Sequence, residues 1–319
     1  MRRKLLPIFI LILALAGSAA GQDDSTSILI RRGGKSLMDK RYEDAWKQYT
    51  EALQRDPNNV ETLRGLGMVA SAIGNVKQAR VYMNRAYALD STDADVLNNL
   101  GVLYSQDGDH VRAIEFFARA TVQDSTHLQY HTNLAGEYMA IGQVENALPV
   151  LRWAAQLDSA ISFVPFQIAN CLSAQKKYDS AETYYARAIA KGGETAELFY
   201  RMGVVKVRLD KSDEAESFFK KAINTNPSHK EARQSLGLIY ASRREFVASA
   251  MQFQKAVEID SAFYPAWIAL GVSYALVDDM VRADSVMARL LQADSSMAYQ
   301  MARWIQLEQS RKNPADSSK

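Results

Sequence analysis

Cysteine is almost missing from this chain: of 319 residues only Cys171 is one. No intrachain disulfide can form, and no thiolate cluster can hold a metal. Charge of one sign is missing too. The formal net charge is +2, and the first 21 residues hold three cations (Arg2, Arg3, Lys4) and no acid, so the remainder stands at −1. A body this near neutrality argues against nucleic acid, whose phosphates must be neutralised by Lys and Arg. Long apolar runs are absent beyond one at the start. Catalytic signatures are absent as well: there is no Gly-rich phosphate loop, no H-E-x-x-H and no nucleophile elbow. What is present is ordinary globular composition, 48% hydrophobic and 23% charged, which excludes a disordered chain, a collagen and a coiled-coil rod.

The one apolar run has the layout of an address. Met1-Arg-Arg-Lys4 is basic, Leu5 to Ala16 is apolar, and Ala16 to Gly21 is built of small residues. This is the order of a secretory signal peptide over 1–21, with cleavage expected after Ala20 or Gly21. The competing reading is an uncleaved anchor at the short limit for spanning a bilayer. Export would place the body in an oxidising compartment, where a lone cysteine is safest buried.

The body repeats every 34 residues. Gly33, Gly67, Gly101, Ala135, Ala169, Gly203, Gly237 and Gly271 form one register. Ala45, Ala79, Ala113, Ala147, Ala181, Ala215, Ser249 and Ala283 form a second; Ala52 and its successors to Ala256, then Leu290, form a third. Large residues keep step, as in Tyr49, Met83, Phe117, Leu151, Tyr185, Phe219, Phe253 and Met287. With the Gly/Ala register as position 8, eight units fill 26–297, after a short lead at 22–25. Apolar spacing within each unit predicts two amphipathic helices, broken at Gly74-Asn75, Gly108-Asp109 and Gly142-Gln143. Between units stand Pro57, Pro227 or Asp-Ser pairs such as Asp90-Ser91 and Asp124-Ser125, residues suited to turns and helix N-caps. Ala298 to Arg311 predicts one more helix, with Met301, Trp304 and Ile305 covering the last pair, followed by a flexible tail over 312–319.

These residues resemble the tetratricopeptide repeat (TPR) family, whose pattern is W-x2-L-G-x2-Y, then A-x3-F, A and P. The last unit carries Trp267-x2-Leu270-Gly271-x2-Tyr274; the sixth has Gly203, Ala215-x3-Phe219, Ala222 and Pro227. The pattern is broken at Pro165 and Arg233, at the usual Trp position, and at Leu290. His131 shares that Trp position and is expected to pack between helices. The resemblance implies an all-α, right-handed superhelical TPR solenoid of eight helix-turn-helix repeats plus a C-terminal capping helix.

It also implies a concave groove lined by positions 2, 5, 6, 9, 12 and 13 of each unit. Position 6 offers three successive amides, Asn99, Asn133 and Gln167, then Arg201. An amide both donates and accepts, so it can hold a peptide backbone without reading its side chains. In TPR arms similar to those of O-linked N-acetylglucosamine transferases, asparagines at this position form a ladder for extended peptides. Phe163, Phe166 and Tyr200 lie beside it as apolar anchors. The carboxylate-clamp pattern of chaperone-tail TPRs is not met, because position 2 holds Glu61, Asp95 and Glu197 where Lys is needed. His127 and His131 are four apart but have no third ligand placed by sequence, and Cys171 falls in an apolar register. No catalytic residue, cofactor or metal is expected. The expectation is a non-enzymatic scaffold of the bacterial cell envelope that binds an extended segment of a protein partner in the groove. The alternative is an architectural subunit of an envelope assembly, secretion or polysaccharide-export machine, docking through helix faces.

Overall fold

A computed structural model describes residues 19–158 and 160–312. The expected export signal lies outside the described residues as far as position 18, and so does the expected tail from 313 onward. Among the described residues there are seventeen helices and no strands, and 81% of them are helical. They fall into two compact units, divided between Gly142 and Gln143.

The first unit holds α1 (Ala19–Met38), α2 (Tyr42–Arg55), α3 (Val60–Ala72), α4 (Val76–Leu89), α5 (Ala94–Gln106), α6 (His110–Gln123) and α7 (Leu128–Ala140). Each helix packs on the next, and α1, α3, α5 and α7 also touch in succession. The second unit holds α8 (Val144–Leu157), α9 (Phe163–Ala174), α10 (Tyr178–Ala190), α11 (Ala196–Arg208), α12 (Ser212–Thr225) and α13 (Lys230–Ser242). It continues with α14 (Phe246–Ile259), α15 (Tyr264–Leu276), α16 (Met280–Ala293) and α17 (Ser295–Lys312). The same neighbour-on-neighbour packing runs through it, and α17 lies on both α15 and α16. This is the one-dimensional logic of a repeat array, in which each element buries its apolar stripe only on its neighbours.

The small-residue registers have a direct cause. A β-carbon at Gly101 would come within 2.7 Å of the Phe117 ring, and one at Gly203 within 2.6 Å of Phe219. The ring from the second helix of a pair therefore occupies the space over the glycine of the first. Ala79, Ala113, Ala181 and Ala215 are fully buried where the two helices approach. The last pair departs from the pattern: Met301 of α17, rather than Met287, sits over Gly271. Met287 is only half-buried.

The turn inside each pair ends its first helix with a left-handed residue at position 15. Gly74, Gly108 and Gly142 adopt it, with φ of 75° to 79°. Lys40, Lys176, Asp210, Arg244 and Asp278 adopt it too, with φ of 57° to 62°. The reward is a backbone bond that closes the helix end, such as Asn75 N to Ala70 O (2.8 Å) and Glu245 N to Tyr240 O (2.9 Å).

Between pairs, the Asp side chain folds the turn and the residue three further on caps the next helix. Asp90 Oδ1 accepts from Thr92 N (2.8 Å), and Asp93 Oδ1 accepts from Val96 N (2.8 Å). The carbonyl of the intervening residue is then held by side chains of the following unit. Trp267 Nε1 donates to Ser261 O (3.1 Å), and Arg233 Nη2 donates to Pro227 O (2.8 Å). His131 Nε2 lies 2.9 Å from Ser125 O, and since a carbonyl only accepts, that nitrogen carries the proton. His131 and Arg233 thus keep the hydrogen bond of the Trp they replace. Arg119 and Arg289 reach back to Ser91 O (3.0 Å) and Ser261 O (3.2 Å).

Three expectations are corrected. Residues 22–25, expected as a short lead before the first repeat, lie within α1. The last helix begins at Ser295, because the Asp294 side chain accepts from Ser296 N (2.7 Å) and the chain turns straight into it. Trp304 does not cover the last pair. Met301 and Ile305 are four apart and share a face, whereas Trp304 lies about 60° round the helix from Met301. It is 52% exposed.

Candidate functional site

Several groove positions of the first unit are polar and bonded to one another. Arg64 of α3 reaches Asp95 Oδ2 (2.7 Å) and Asp93 Oδ2 (3.3 Å). Tyr130 OH donates to Asp95 Oδ1 (2.6 Å), and burial, with that carboxylate, pushes the phenol well above its usual range. Asn99 Nδ2 donates to Asp95 O of its own helix (2.8 Å). Asn133 donates to Asn98 Oδ1 and accepts from Gln129 Nε2, both at 2.8 Å. The amides therefore spend part of their capacity on each other.

The remaining expected site residues lie in the second unit. Gln167 Oε1 accepts from Asn170 Nδ2 (2.8 Å), and Asn170 Oδ1 accepts from Tyr185 OH (2.7 Å). Phe166 is half-buried against Tyr185, ring centroids 5.9 Å apart. Tyr200 packs on Phe219 (6.0 Å) and His229 (4.9 Å), and Arg201 pairs with Glu197 (2.6 Å). Phe163 is the most open of these three aromatics, at 45% exposed. The seven residues are thus split between the compact units, two in the first and five in the second.

A different part of the second unit forms a cleft of about 560 Å³ over α15 with α13 and α17 as walls. Its floor is Ile268, Ala269, Val272 and Leu276; Leu238 and Ala241 line one wall and Trp304 the other. Leu238 is 53% exposed, so apolar surface is available there. The signal was present in the sequence. All six groove positions of the last unit are apolar (Pro265, Ile268, Ala269, Val272, Ala275, Leu276), a property no other unit shares. A search for polar donors passes over it.

Two buried charge clusters were also invisible to pattern reading. Glu137 fills position 10, where Val69 and Leu103 stand in neighbouring units, and is buried. It accepts from Ser105 Oγ and from His110 Nδ1 (2.7 Å). Lys206 is buried in the second unit and pairs with Glu182 (2.6 Å) and Glu214. Burial disfavours its charge, but the bonds to Glu182 and Glu214 outweigh this and hold its pKa above the ordinary lysine value. The Lys206 and Lys211 ammonium groups hold Glu182 below the usual carboxylate range. Cys171 is fully buried, and burial, with a smaller push from Glu145, raises its thiol to about 11. A thiol so protonated is a poor nucleophile. Among the described residues no group of three or more His, Cys, Asp and Glu is placed to hold a metal, and no helix is long and apolar enough to cross a membrane.

Helix pairs stacked in 34-residue steps, with small residues under the rings of their partners, define an all-α helical repeat solenoid. Tetratricopeptide repeat models match residues 39–94, 66–127 and 196–229, and the chain belongs to the TPR family. Proteins of this family are generally non-catalytic scaffolds that bind protein or peptide partners. No curated protein matches the chain. Among solved structures it is similar to Pseudomonas aeruginosa PilF, at 22% identity and a TM-score of 0.61 over 67% of this chain and 97% of that one. It is also similar to a tetratricopeptide repeat protein of Parabacteroides merdae, at 15% identity and a TM-score of 0.56 over 78% of this chain and 99% of that one. YrrB, a TPR protein with an unusual peptide-binding site, matches at 24% identity and a TM-score of 0.50 over 59% of this chain and 97% of that one. At these identities the likeness speaks for the fold.

Proposed function

We propose that the chain is a non-enzymatic scaffold of a bacterial cell envelope that receives a segment of a protein partner on the groove side of its repeats. The observation that carries this reading is the apolar cleft between α13, α15 and α17. Apolar surface gathered in a concavity, with few polar groups at its edge, is where a partner gains most from leaving water. Export is supported by the basic, apolar and small-residue order of residues 1–21. The second reading, an architectural subunit docking through helix faces, has an observation of its own. Val247 and Met251 on α14 and Met280 and Val281 on α16 are well exposed, Val281 at 83%.

Site-specific photocrosslinking in the native cell separates the two. Probes go at Leu238 in the cleft, at Asn133 among the amides and at Val281 on α16. A discrete protein adduct from Leu238 or Asn133 supports the groove reading, and adducts from Val281 alone favour architectural docking. N-terminal sequencing tests the address: a chain starting at Gly21 or Gln22 in the extracytoplasmic fraction supports export, and a chain starting at Met1 in the cytoplasm refutes it.

A further inference from the structure

We infer, resting on the groove reading above, that the cleft over α15 takes an amphipathic helix of about three turns with a carboxylate at the end nearest Arg244. The floor decides against an extended segment. Ile268, Ala269, Val272 and Leu276 have apolar side chains. Of the two hydroxyls around the cleft, Ser273 is buried, its Oγ donating to Ala269 O (2.8 Å) and meeting Ser249 Oγ (3.2 Å), and Ser242 Oγ donates to Ile239 O (2.7 Å). An extended guest would lay a row of backbone N–H and C=O groups over this apolar floor, and the few polar side chains on the walls, such as Gln234, could bond only a fraction of them. A helix satisfies those groups internally and offers only side chains.

Dimensions agree. The groove face of α15 runs from Pro265 to Leu276, about 16 Å at the helical rise, which matches about three turns of a guest helix. The α15 segment, Tyr264–Leu276, contains no charged residue. A helix apolar all round is one covered on every side, and here the covering neighbour on the groove side is missing.

Charge fixes the polarity. Only Arg244 and Glu308 are charged among the residues around the cleft. Glu308 has an interaction of its own. Arg244 is exposed, sits at the end of α13 and forms no ion pair among the described residues, not even with Asp278 one repeat along. A guest with acidic residues in its first turn would answer that guanidinium and stabilise its own helix.

The test uses the full chain and three fluorescein-labelled synthetic peptides of fourteen residues, read by anisotropy. One is a Leu-faced amphipathic helix with two Glu in its first turn. The second has Lys in place of those Glu. The third has the composition of the first with a central proline. The acid-tipped helix should bind at least tenfold tighter than either of the others. Leu238→Asp, at an exposed position that folding does not depend on, should abolish binding with the melting temperature unchanged, and Arg244→Glu should reverse the preference between Glu and Lys tips. Equal binding of the proline peptide would overturn the helical guest; equal binding of the Lys-tipped peptide, or indifference to Arg244→Glu, would overturn the polarity. No peptide binding, while a probe at Leu238 still crosslinks a protein in cells, would sink this inference and leave the groove reading standing. No peptide binding, together with no adduct from either Leu238 or Asn133, removes both.

Discussion

Lys206 shows how little the charge of a residue says about its place. It sits at position 11 of α11, 4% exposed, and its ammonium is held by Glu182 and Glu214. Removing both acids while keeping the lysine leaves a buried cation with no carboxylate, a change that costs about 3–5 kcal/mol where it has been measured. Glu182→Gln with Glu214→Gln should therefore lower stability by roughly 3 kcal/mol, whereas Lys206→Met should stay within about 1 kcal/mol of the parent, since an apolar chain of similar volume fills the same space. Chemical denaturation of the three proteins checks this. The pH dependence follows from the shifts. Glu182 has its pKa lowered, so its contribution is present above the unfolded value of 4.5 and is lost as pH falls below that toward the folded value. Lys206 has its pKa raised, so its contribution is present below the unfolded value of 10.5 and is lost as pH rises through the folded value. The stability of the parent relative to Lys206→Met should be flat from about pH 5 to 10 and fall on both sides.

Helices and their pairing were legible because one side chain per register has one job. A large side chain over a glycine or alanine repeats every 34 residues, and the sequence prints that repeat. The turn residues were only half legible. Gly74 and Gly108 announce a left-handed position, but Lys176, Asp210 and Arg244 adopt the same φ without any such signal. Left-handed backbone costs a side-chain-bearing residue about 1–2 kcal/mol, and the helix-closing bond offsets it only in context. The groove amides were legible as residues and not as a site, because Asn133 bonds Gln129 and Asn98, partners that follow from packing. The α17 helix was legible, but the side chain that seals the array was not assigned from spacing alone. Met301 is 1% exposed over Gly271. Met301→Ala should cost about 2–5 kcal/mol through the cavity it leaves. Gly271→Ala alone should also destabilise, because its methyl meets Met301. Combined with Met301→Ala it should cost less than the sum, since the new methyl enters the vacated space. A double-mutant cycle by thermal melting reads this directly, and strict additivity would mean that Met301 does not seat on Gly271.

Each compact unit is a chain of nearest-neighbour interfaces, and its response to damage should be graded by distance along the sequence. In such an array stability is approximately a sum of unit and interface contributions, so an injury to one unit weakens its two interfaces and leaves remote units intact. Gly203→Val is the sharpest injury available. A β-carbon there already falls within 2.6 Å of Phe219, which is buried between α11 and its partner α12, and two further methyl groups cannot be housed. A cost of roughly 1–3 kcal/mol is expected from such overpacking. Hydrogen exchange read by mass spectrometry should then show faster exchange in α11 and α12, a smaller increase in α9, α10, α13 and α14, and none in α3 to α6. The unfolding transition should broaden at the same time, because the injured stretch opens before the rest. A globular core shared by all units would behave otherwise: protection would fall everywhere by one common factor, and the transition would move without broadening. That outcome would remove the nearest-neighbour account of this fold.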